Sequence, residues 1–439
     1  MASRSEKVGW DTVARYPGCE NPRVSAAERA TGSARSVAVF AMPEAGHFQR
    51  LRPLIADLVR CGADVHVYTD LRFEAGVKGA GARFVDLFAA YPLADADSES
   101  VPIPCRYVSF AGVYAERIAA DLEQLGPSLI VYDTFAVVGH VVGRLLGVPY
   151  VNVCAGHGVD PALIVAQLET DPRVAISSSC HRAAATLRER YGVADASPFS
   201  YVSGRSPFLN VYCEPPAYLP AEERRALEPV AFYGSLPSLE TIEASEAEMG
   251  RSIFDRRARP RVYASLGTVV WRYWAGDALA VLGAVAAALS RMPDARGLIS
   301  LGGADPGDEA IRRLTRPNVS VAPYVDQWRV LREADVFVTH HGLNSTHEAI
   351  FNRVPMVSYP FFWDQPALAE ACRRLGLAIP LTDELRRPVG EDDVRSALSE
   401  LSSREGSMRA SLADARDWEI EVIAKRDEVL REIIDLIPA

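Results

Sequence analysis

The stretch DVFVTHHGLNSTHEAIF, residues 335–351, contains three of the eight histidines of the chain and indicates how the chain folds around it. Its apolar first half is typical of a buried strand that ends near His340. Gly342 follows in a turn, and Asn344 and Ser345 are residue types that favour the N-cap of a helix. A strand, a glycine turn and a helix N-terminus together present backbone N–H groups and the positive end of the helix dipole to an anion. The stretch therefore predicts a phosphate-binding turn.

A zinc site is the alternative interpretation of these clustered histidines. His340 and His341 are adjacent, so on an extended backbone their side chains point to opposite sides. His347 and Glu348 begin the metalloprotease motif H-E-x-x-H, but Phe351 stands where its second histidine belongs. No cysteine or acidic residue lies at helical spacing from His347 to complete a set of ligands. The sequence favours the anion site without a metal, and predicts that His347 is an ordinary helix residue.

Short apolar runs alternate with helical spacing through the first half of the chain. After the apolar run at 36–42, aliphatic residues recur at helical spacing over 51–59, and Gly62 follows at a position typical of a helix C-terminus. A strand, a helix and a second strand form a βαβ unit, and such units build parallel sheets. The further runs that we predict as strands of this half are 64–70, 128–133 and 148–154.

A polar, charged segment at 236–260 interrupts this pattern and predicts a linker. The alternation then starts again with predicted strands at 261–267, 296–302, 335–340 and 355–360. In α/β sheets of this kind, ligands bind at the carboxyl ends of the strands, in the cleft between two halves. The predicted division is an N-terminal extension at 1–35, α/β domains at 36–235 and 261–415 joined by the linker, and a C-terminal helix at 416–439.

Length, charge and cysteine content exclude several classes of protein. A chain of 439 residues is too long for one ordinary core, which predicts two domains. The net charge of −10 argues against a nucleic-acid-binding protein. Seven scattered cysteines without a C-x-x-C pair favour a reduced, cytoplasmic compartment. The first 35 residues lack the apolar region of a signal peptide, and the longest apolar stretch, 278–289, is too short to span a membrane, so we expect a soluble protein.

Residues 324–365 closely resemble the donor-binding signature of family 1 glycosyltransferases, which include the UDP-glycosyltransferases of plants and animals and the macrolide glycosyltransferases of bacteria. The signature consists of an aromatic residue, a glutamine, T-H-x-G-x-N-S-x-x-E, V-P and D-Q, at spacings that all fit here. The resemblance implies the GT-B fold, in which two Rossmann-like domains face each other and a C-terminal helix crosses back. It implies that the first domain binds the acceptor and the second binds a nucleotide-sugar donor.

The resemblance also assigns roles to residues of the second domain. Tyr324, where the family usually has tryptophan, would stack on the nucleobase, a departure that leaves the base preference open. Gln327 would hydrogen-bond the base edge, and Glu348 would accept hydrogen bonds from the ribose. Asp364 and Gln365 would bind hydroxyls of the donor sugar. The diphosphate would be held by two strand-end turns, with Gly267 and Thr268 in the first and His340, Gly342, Asn344 and Ser345 in the second.

In the first domain, the resemblance places a general base at His47, within the stretch MPEAGHFQRLRPL. A lone histidine is more often structural, but this one directly follows a predicted strand at the mouth of the expected cleft. Neutral imidazole has nearly the right pKa to deprotonate a hydroxyl at neutral pH. Asp133, at the end of another predicted strand, would stabilise the resulting imidazolium. The alternative for Asp133 is a common helix-capping aspartate.

These residues predict an inverting glycosyltransferase that moves a hexose from a nucleoside-diphosphate sugar to a hydroxyl of a small lipophilic acceptor. A UDP-sugar or dTDP-sugar is expected, with UDP-glucose favoured, and a macrolide, polyketide or aromatic natural product is the acceptor class that the family implies. Segments 90–125 and 155–215 are expected to line the acceptor pocket. We expect no cofactor, no metal and no nucleic-acid partner, and either a monomer or a homodimer.

One motif is set aside, and two alternative functions remain beside this prediction. The D-x-D sequence at 95–97 matches a metal-binding motif of the other large glycosyltransferase fold, but no strand precedes it, and a solvated loop is favoured. A nucleotide-sugar epimerase of similar fold would need no separate acceptor. A catalytically silent sugar-nucleotide-binding protein would not need both His47 and Asp133.

Overall fold

The computed structural model describes residues 35–94, 105–172, 174–247 and 252–438. Two parallel sheets with flanking helices organise these residues, which confirms the predicted α/β architecture. The D-x-D sequence at 95–97 and nearly all of the predicted N-terminal extension lie outside the described residues. Within the described ranges, no helix combines the length and the apolarity needed to cross a membrane.

The first domain contains a sheet of seven strands. Its strands are β1 (Ser36–Phe40), β2 (Asp64–Thr69), β3 (Arg83–Asp86), β4 (Leu129–Asp133), β5 (Tyr150–Cys154), β6 (Leu209–Tyr212) and β7 (Val230–Phe232). They lie in the order β3-β2-β1-β4-β5-β6-β7, and every neighbouring pair is parallel. Every residue of β1, β4 and β5 is buried, as expected for central parallel strands covered on both faces. The strand order reverses between β1 and β4, which is the place where ligands bind in open α/β sheets.

Helices connect these strands. They are α1 (Ala45–Arg60), α2 (Glu74–Gly79), α3 (Leu87–Ala90), α4 (Arg106–Glu123), α5 (Val137–Leu146), α6 (Pro161–Thr170), α7 (Ser178–Glu189), α8 (Ser200–Ser203) and α9 (Ala221–Arg224). Helix α1 buries Leu51, Leu54, Ile55 and Leu58, the positions that its apolar spacing predicts. The segment predicted as a linker includes a further helix, α10 (Leu239–Ala247).

The second domain contains a sheet of six parallel strands. They are β8 (Arg261–Ser265), β9 (Arg296–Ser300), β10 (Val319–Ala322), β11 (Val336–Thr339), β12 (Met356–Ser358) and β13 (Ala378–Pro380), in the order β10-β9-β8-β11-β12-β13. Its helices are α11 (Val270–Tyr273), α12 (Ala275–Ser290), α13 (Asp308–Leu314), α14 (Gln327–Leu331), α15 (Leu343–Phe351), α16 (Gln365–Arg374), α17 (Glu391–Ser403), α18 (Glu405–Ala424) and α19 (Arg426–Asp435). The helical region at the C-terminus thus begins before residue 416 and is interrupted at Lys425.

The last two helices cross from the second domain back to the first. Helix α18 packs against α15, and α19 contacts β7. Arg426, at the start of α19, is 4% exposed and donates hydrogen bonds to the carbonyl oxygens of Tyr233 (2.8 Å) and Leu236 (2.6 Å). One hydrophobic cluster includes residues of β1, β11 and α19, so the two domains and the crossing helix share a core.

Candidate active site

His47 and Asp133 meet at the carboxyl ends of the two central strands of the first sheet. Asp133 is the last residue of β4, and His47 lies in the first turn of α1, just after β1. The distance from His47 Nδ1 to Asp133 Oδ1 is 2.8 Å, and Asp133 is fully buried. Backbone N–H groups of Met42 and Phe135 donate to the same carboxylate at 3.1 and 2.8 Å. Asp133 is therefore held in place, and it leaves Nε2 of His47 as the ring nitrogen available to a substrate.

A cavity of about 760 Å³, including its open mouth, begins at His47 and extends into the first domain. Its wall is mainly apolar and aromatic, with Phe135, Leu168, Tyr201 and Trp363 among its residues. This size and lining are typical of sites for small organic molecules. The cavity therefore suits a lipophilic molecule whose reactive group reaches His47.

Two segments were predicted to line this cavity, and only one of them does so. Residues between 156 and 205 contribute, as expected for segment 155–215. No described residue of segment 90–125 lines the cavity. That segment includes α4, which packs on α5 and α7 and touches the wall of the cavity from behind, through Phe135 and α8. The prediction for 90–125 is therefore wrong for its described residues.

Across the cleft, the two predicted phosphate turns lie side by side. Gly267 follows β8, and Gly342 stands at the N-cap of α15. The ring of His340 lies against both glycines, because a Cβ added to either one would come within 2.5 Å of its Nε2 atom. Gly267 also has a φ of +70°, which favours glycine. Positions 267 and 342 thus both require glycine. Thr268 directly follows Gly267.

His340 is neutral at pH 7. Burial, followed by the positive charge of Arg50, lowers its pKa to about 4. Its Nδ1 atom is buried and has no hydrogen-bond partner among the described residues. A neutral imidazole can donate a hydrogen bond to an anion, but it contributes no net charge.

The residues predicted to bind the base and the ribose form a small hydrogen-bonded group. Gln327 Nε2 donates to Ser345 Oγ at 3.0 Å and to Glu348 Oε2 at 2.8 Å. Burial raises the pKa of Glu348 to about 7. Tyr324 lies beyond β10 with 52% of its surface exposed, so one ring face is free to stack. The structure joins Gln327, Ser345 and Glu348 by hydrogen bonds, with Ser345 bound to Gln327 rather than to the turn, and it places Tyr324 near Glu348.

Asp364 and Gln365 stand at the start of α16. Asp364 Oδ2 accepts a hydrogen bond from the backbone N–H of His157 in the first domain, at 3.0 Å. Gln365 Oε1 accepts hydrogen bonds from the backbone N–H groups of Phe361 (2.9 Å) and Phe362 (3.4 Å). Asp364 also lines the cavity, so it lies between the two domains near His47.

The expectation that His347 is an ordinary helix residue is wrong. It is fully buried between two carboxylates, with Nδ1 2.5 Å from Glu419 Oε1 and Nε2 3.0 Å from Glu214 Oε1. Burial opposes its charge, but Glu419 and Glu214 raise the pKa of His347 to about 10. Glu214 also contacts His157 Nδ1 at 2.8 Å. His347, Glu214, Glu419 and His157 are called the interdomain cluster below.

Sequence reasoning missed this cluster and Arg50. Arg50 is in α1 and hydrogen-bonds to Asn344, which is 294 residues away, and His347 and Glu214 are 133 residues apart. No spacing in the sequence marks such contacts. Among the described residues, no group of three or more His, Cys, Asp or Glu side chains is arranged to hold a metal ion.

Known proteins resemble the chain over most of its length. Residues 239–410 match the family model described as UDP-glucoronosyl and UDP-glucosyl transferase. An uncharacterized UDP-glucosyltransferase, YdhE of Bacillus subtilis, is 24% identical over 91% of this chain and 99% of its own. The oleandomycin glycosyltransferase of Streptomyces antibioticus is 25% identical over 79% of each chain.

A solved structure extends this likeness to three dimensions. The glycotransferase of kitacinnamycin superimposes with a TM-score of 0.73 at 25% identity, over 92% of this chain and 99% of its own. Its match includes both domains, in agreement with the paired sheets and the crossing helices. The chain is thus similar to the family 1 glycosyltransferases over most of its length, has the GT-B fold and is a hexosyltransferase.

Proposed function

We propose that this enzyme transfers a hexose, with inversion, from a nucleoside-diphosphate sugar to a hydroxyl group of a small lipophilic acceptor. The observation that supports this most is the position of the His47–Asp133 pair. His47 lines the apolar cavity at the side of the cleft that faces the phosphate turns. UDP-glucose is the favoured donor, because the Asp364–Gln365 pair suits a fully hydroxylated sugar. A macrolide, a polyketide or an aromatic natural product is the proposed acceptor.

His47 acts as the general base. The acceptor hydroxyl transfers its proton to Nε2 while its oxygen attacks the anomeric carbon of the donor. Asp133, on the opposite ring nitrogen at 2.8 Å, stabilises the imidazolium that forms and fixes the tautomer of the neutral ring. General-base catalysis of this kind contributes a factor of about 10² to 10⁴ in rate.

The leaving group is the nucleoside diphosphate. As the new C–O bond forms, the bond from the anomeric carbon to the β-phosphate oxygen breaks, and its electron pair remains on the diphosphate. Backbone N–H groups at the start of α15, with the turn at Gly267 and Thr268, lie where they can bind this charge, and His340 adds a neutral donor. We therefore propose that transfer requires no metal ion.

Release of UDP provides the first test. Wild type and His47→Ala are assayed with UDP-glucose and dTDP-glucose, a panel of phenolic and macrolide alcohols, and EDTA. We expect nucleotide release that depends on acceptor, persists in EDTA and falls at least about 100-fold in the variant. Loss of activity in EDTA would contradict the metal-free step.

The same assay separates the two other functions. An epimerase would convert the donor without any acceptor, and the sugar would remain on the nucleotide. A silent binding protein would bind the nucleotide and release none. The His47–Asp133 pair favours transfer over both, because neither alternative needs a base at the mouth of an acceptor cavity.

A further inference from the structure

Arg50 extends from the first domain to the phosphate turn of the second. It lies in α1, three residues after His47, and is 7% exposed. Its Nε atom donates to Asn344 Oδ1 at 3.1 Å, and Asn344 Nδ2 donates to the carbonyl oxygen of Gly46 at 3.3 Å. These two hydrogen bonds hold the start of α1 against the start of α15.

The two terminal nitrogens of Arg50 have no partner of their own. They form no hydrogen bond or ion pair with any described residue, and both atoms keep some solvent-accessible surface. A guanidinium in so buried a place is costly unless its N–H groups are satisfied. The geometry therefore leaves unsatisfied N–H donors beside Asn344, where the two domains meet.

Acidic residues surround Arg50 without pairing with it. Burial lowers the pKa of Arg50, and the negative charges of Asp364, Glu214 and Asp133 partly offset this effect. Each of these carboxylates already has a hydrogen-bond partner elsewhere. An arginine remains protonated in proteins, so Arg50 brings a full positive charge to the turn. Among the described residues, no other positively charged side chain forms a hydrogen bond with residues 340–345.

We infer that Arg50 is a further catalytic residue, whose terminal N–H groups bind the diphosphate of the donor. This inference rests on the proposed function. A guanidinium matches two phosphate oxygens with parallel hydrogen bonds. When the bond to the sugar breaks, negative charge grows on the β-phosphate, and Arg50 stabilises it from the acceptor domain while α15 binds it from the donor domain. Because Arg50 and His47 share one helix, the fold places the base and the cation together.

Comparing a nucleoside diphosphate with its nucleoside separates this role from a structural one. Binding of UDP and uridine, and of dTDP and thymidine, is measured by calorimetry for wild type, Arg50→Gln, Arg50→Met and Arg50→Lys. We expect Arg50→Gln to weaken diphosphate binding about 10-fold to 100-fold and to change nucleoside binding less than about twofold. We expect kcat to fall about 100-fold, and Arg50→Lys to recover part of both losses.

Arg60→Gln is the matched control, because Arg60 is in the same helix but pairs with Asp57 and Asp427 at the surface. It should behave as wild type. Arg50→Met keeps an unbranched apolar chain in place of the arginine stem and has no hydrogen-bond donor, and it replaces Arg50→Gln if that variant unfolds. If the Arg50 variants bound the diphosphate and the nucleoside equally more weakly, or bound both as well as wild type does, the inferred role of Arg50 would be overturned. The proposed function would not be affected. A wild type that binds neither UDP nor dTDP would overturn the proposed function as well.

Discussion

At the scale of single residues, Asp133 has no exposed surface and accepts hydrogen bonds from His47 and from two backbone N–H groups. Asp133→Asn keeps the size of the side chain but removes the charge that stabilises the imidazolium. We expect kcat to fall by a factor of about 10² to 10⁴ while the affinity for UDP stays near that of wild type. Steady-state kinetics and calorimetry check the two parts. A fall in kcat of less than tenfold would argue against a charged partner for the base.

The raised pKa of Glu348 predicts that the stability of the folded protein depends on pH. The pKa of Glu348 is raised to about 7 by burial, above the usual value of 4.5, so ionising it in the folded protein is unfavourable. The contribution of this group to stability is present in full below pH 4.5 and is lost as pH rises through 7. Glu348→Gln should therefore gain thermal stability relative to wild type between pH 6 and pH 8. A difference in Tm that does not change over this interval would contradict the raised pKa.

The sequence predicted some site residues and missed others for a physical reason. Asp133 and His340 stand at the ends of strands, and His47 lies in the first turn of the helix that follows β1. These positions are visible in the local pattern of apolar residues and glycines. Arg50 and His347 acquire their partners only when the two domains meet, and no local spacing records that contact.

At the scale of elements, the interdomain cluster joins α15, α18 and the end of β6. His347→Leu would leave Glu214 and Glu419 buried without their shared cation. We expect the free energy of unfolding to fall by about 3–5 kcal/mol, measured by urea titration. Lys78→Ala is the control, because its exposed pair with Glu74 contributes less than about 1 kcal/mol.

The pH dependence of this loss follows from the pKa of His347, which rises from 6.5 to about 10 on folding. The stabilisation is full below pH 6.5 and disappears as pH rises through 10. On the acid side, Glu214 has a lowered pKa, so its contribution is present above pH 4.5 and is lost as pH falls. The difference between wild type and His347→Leu should thus be larger at pH 6 than at pH 9. An equal difference at both values would show that His347 is not a buried cation.

The predicted strands are all present, because apolar spacing is a local property, but β3, β6, β7, β10 and β13, of three or four residues each, were not predicted. A second error concerns segment 90–125, which contains α4 and was expected at the acceptor cavity. Its buried residues form a core with α5 and α7 instead, and Phe135 stands between α4 and the cavity. An apolar helix face does not indicate whether it meets another helix or a ligand, so this error could not be avoided from sequence.

At the scale of the whole molecule, function depends on the meeting of two sheets. The base lies on the first, the phosphate turns lie on the second, and contacts of Arg50, His157 and Arg426 hold the parts together. The two-domain arrangement was predictable from the repeated strand–helix pattern and from the resemblance over 324–365. The depth of the cleft and the identity of the residues that bridge it could not be predicted, because they depend on how the domains pack.

The configuration of the product tests the central claim most directly. Wild type is supplied with UDP-glucose, whose sugar is α-linked, and with an accepted phenol or macrolide, and the anomeric proton of the product is observed by NMR. A single attack assisted by His47 predicts a β-glucoside, with a yield at least about 100-fold lower from His47→Ala in the same time. An α-glucoside, or an equal yield from the variant, would contradict the account.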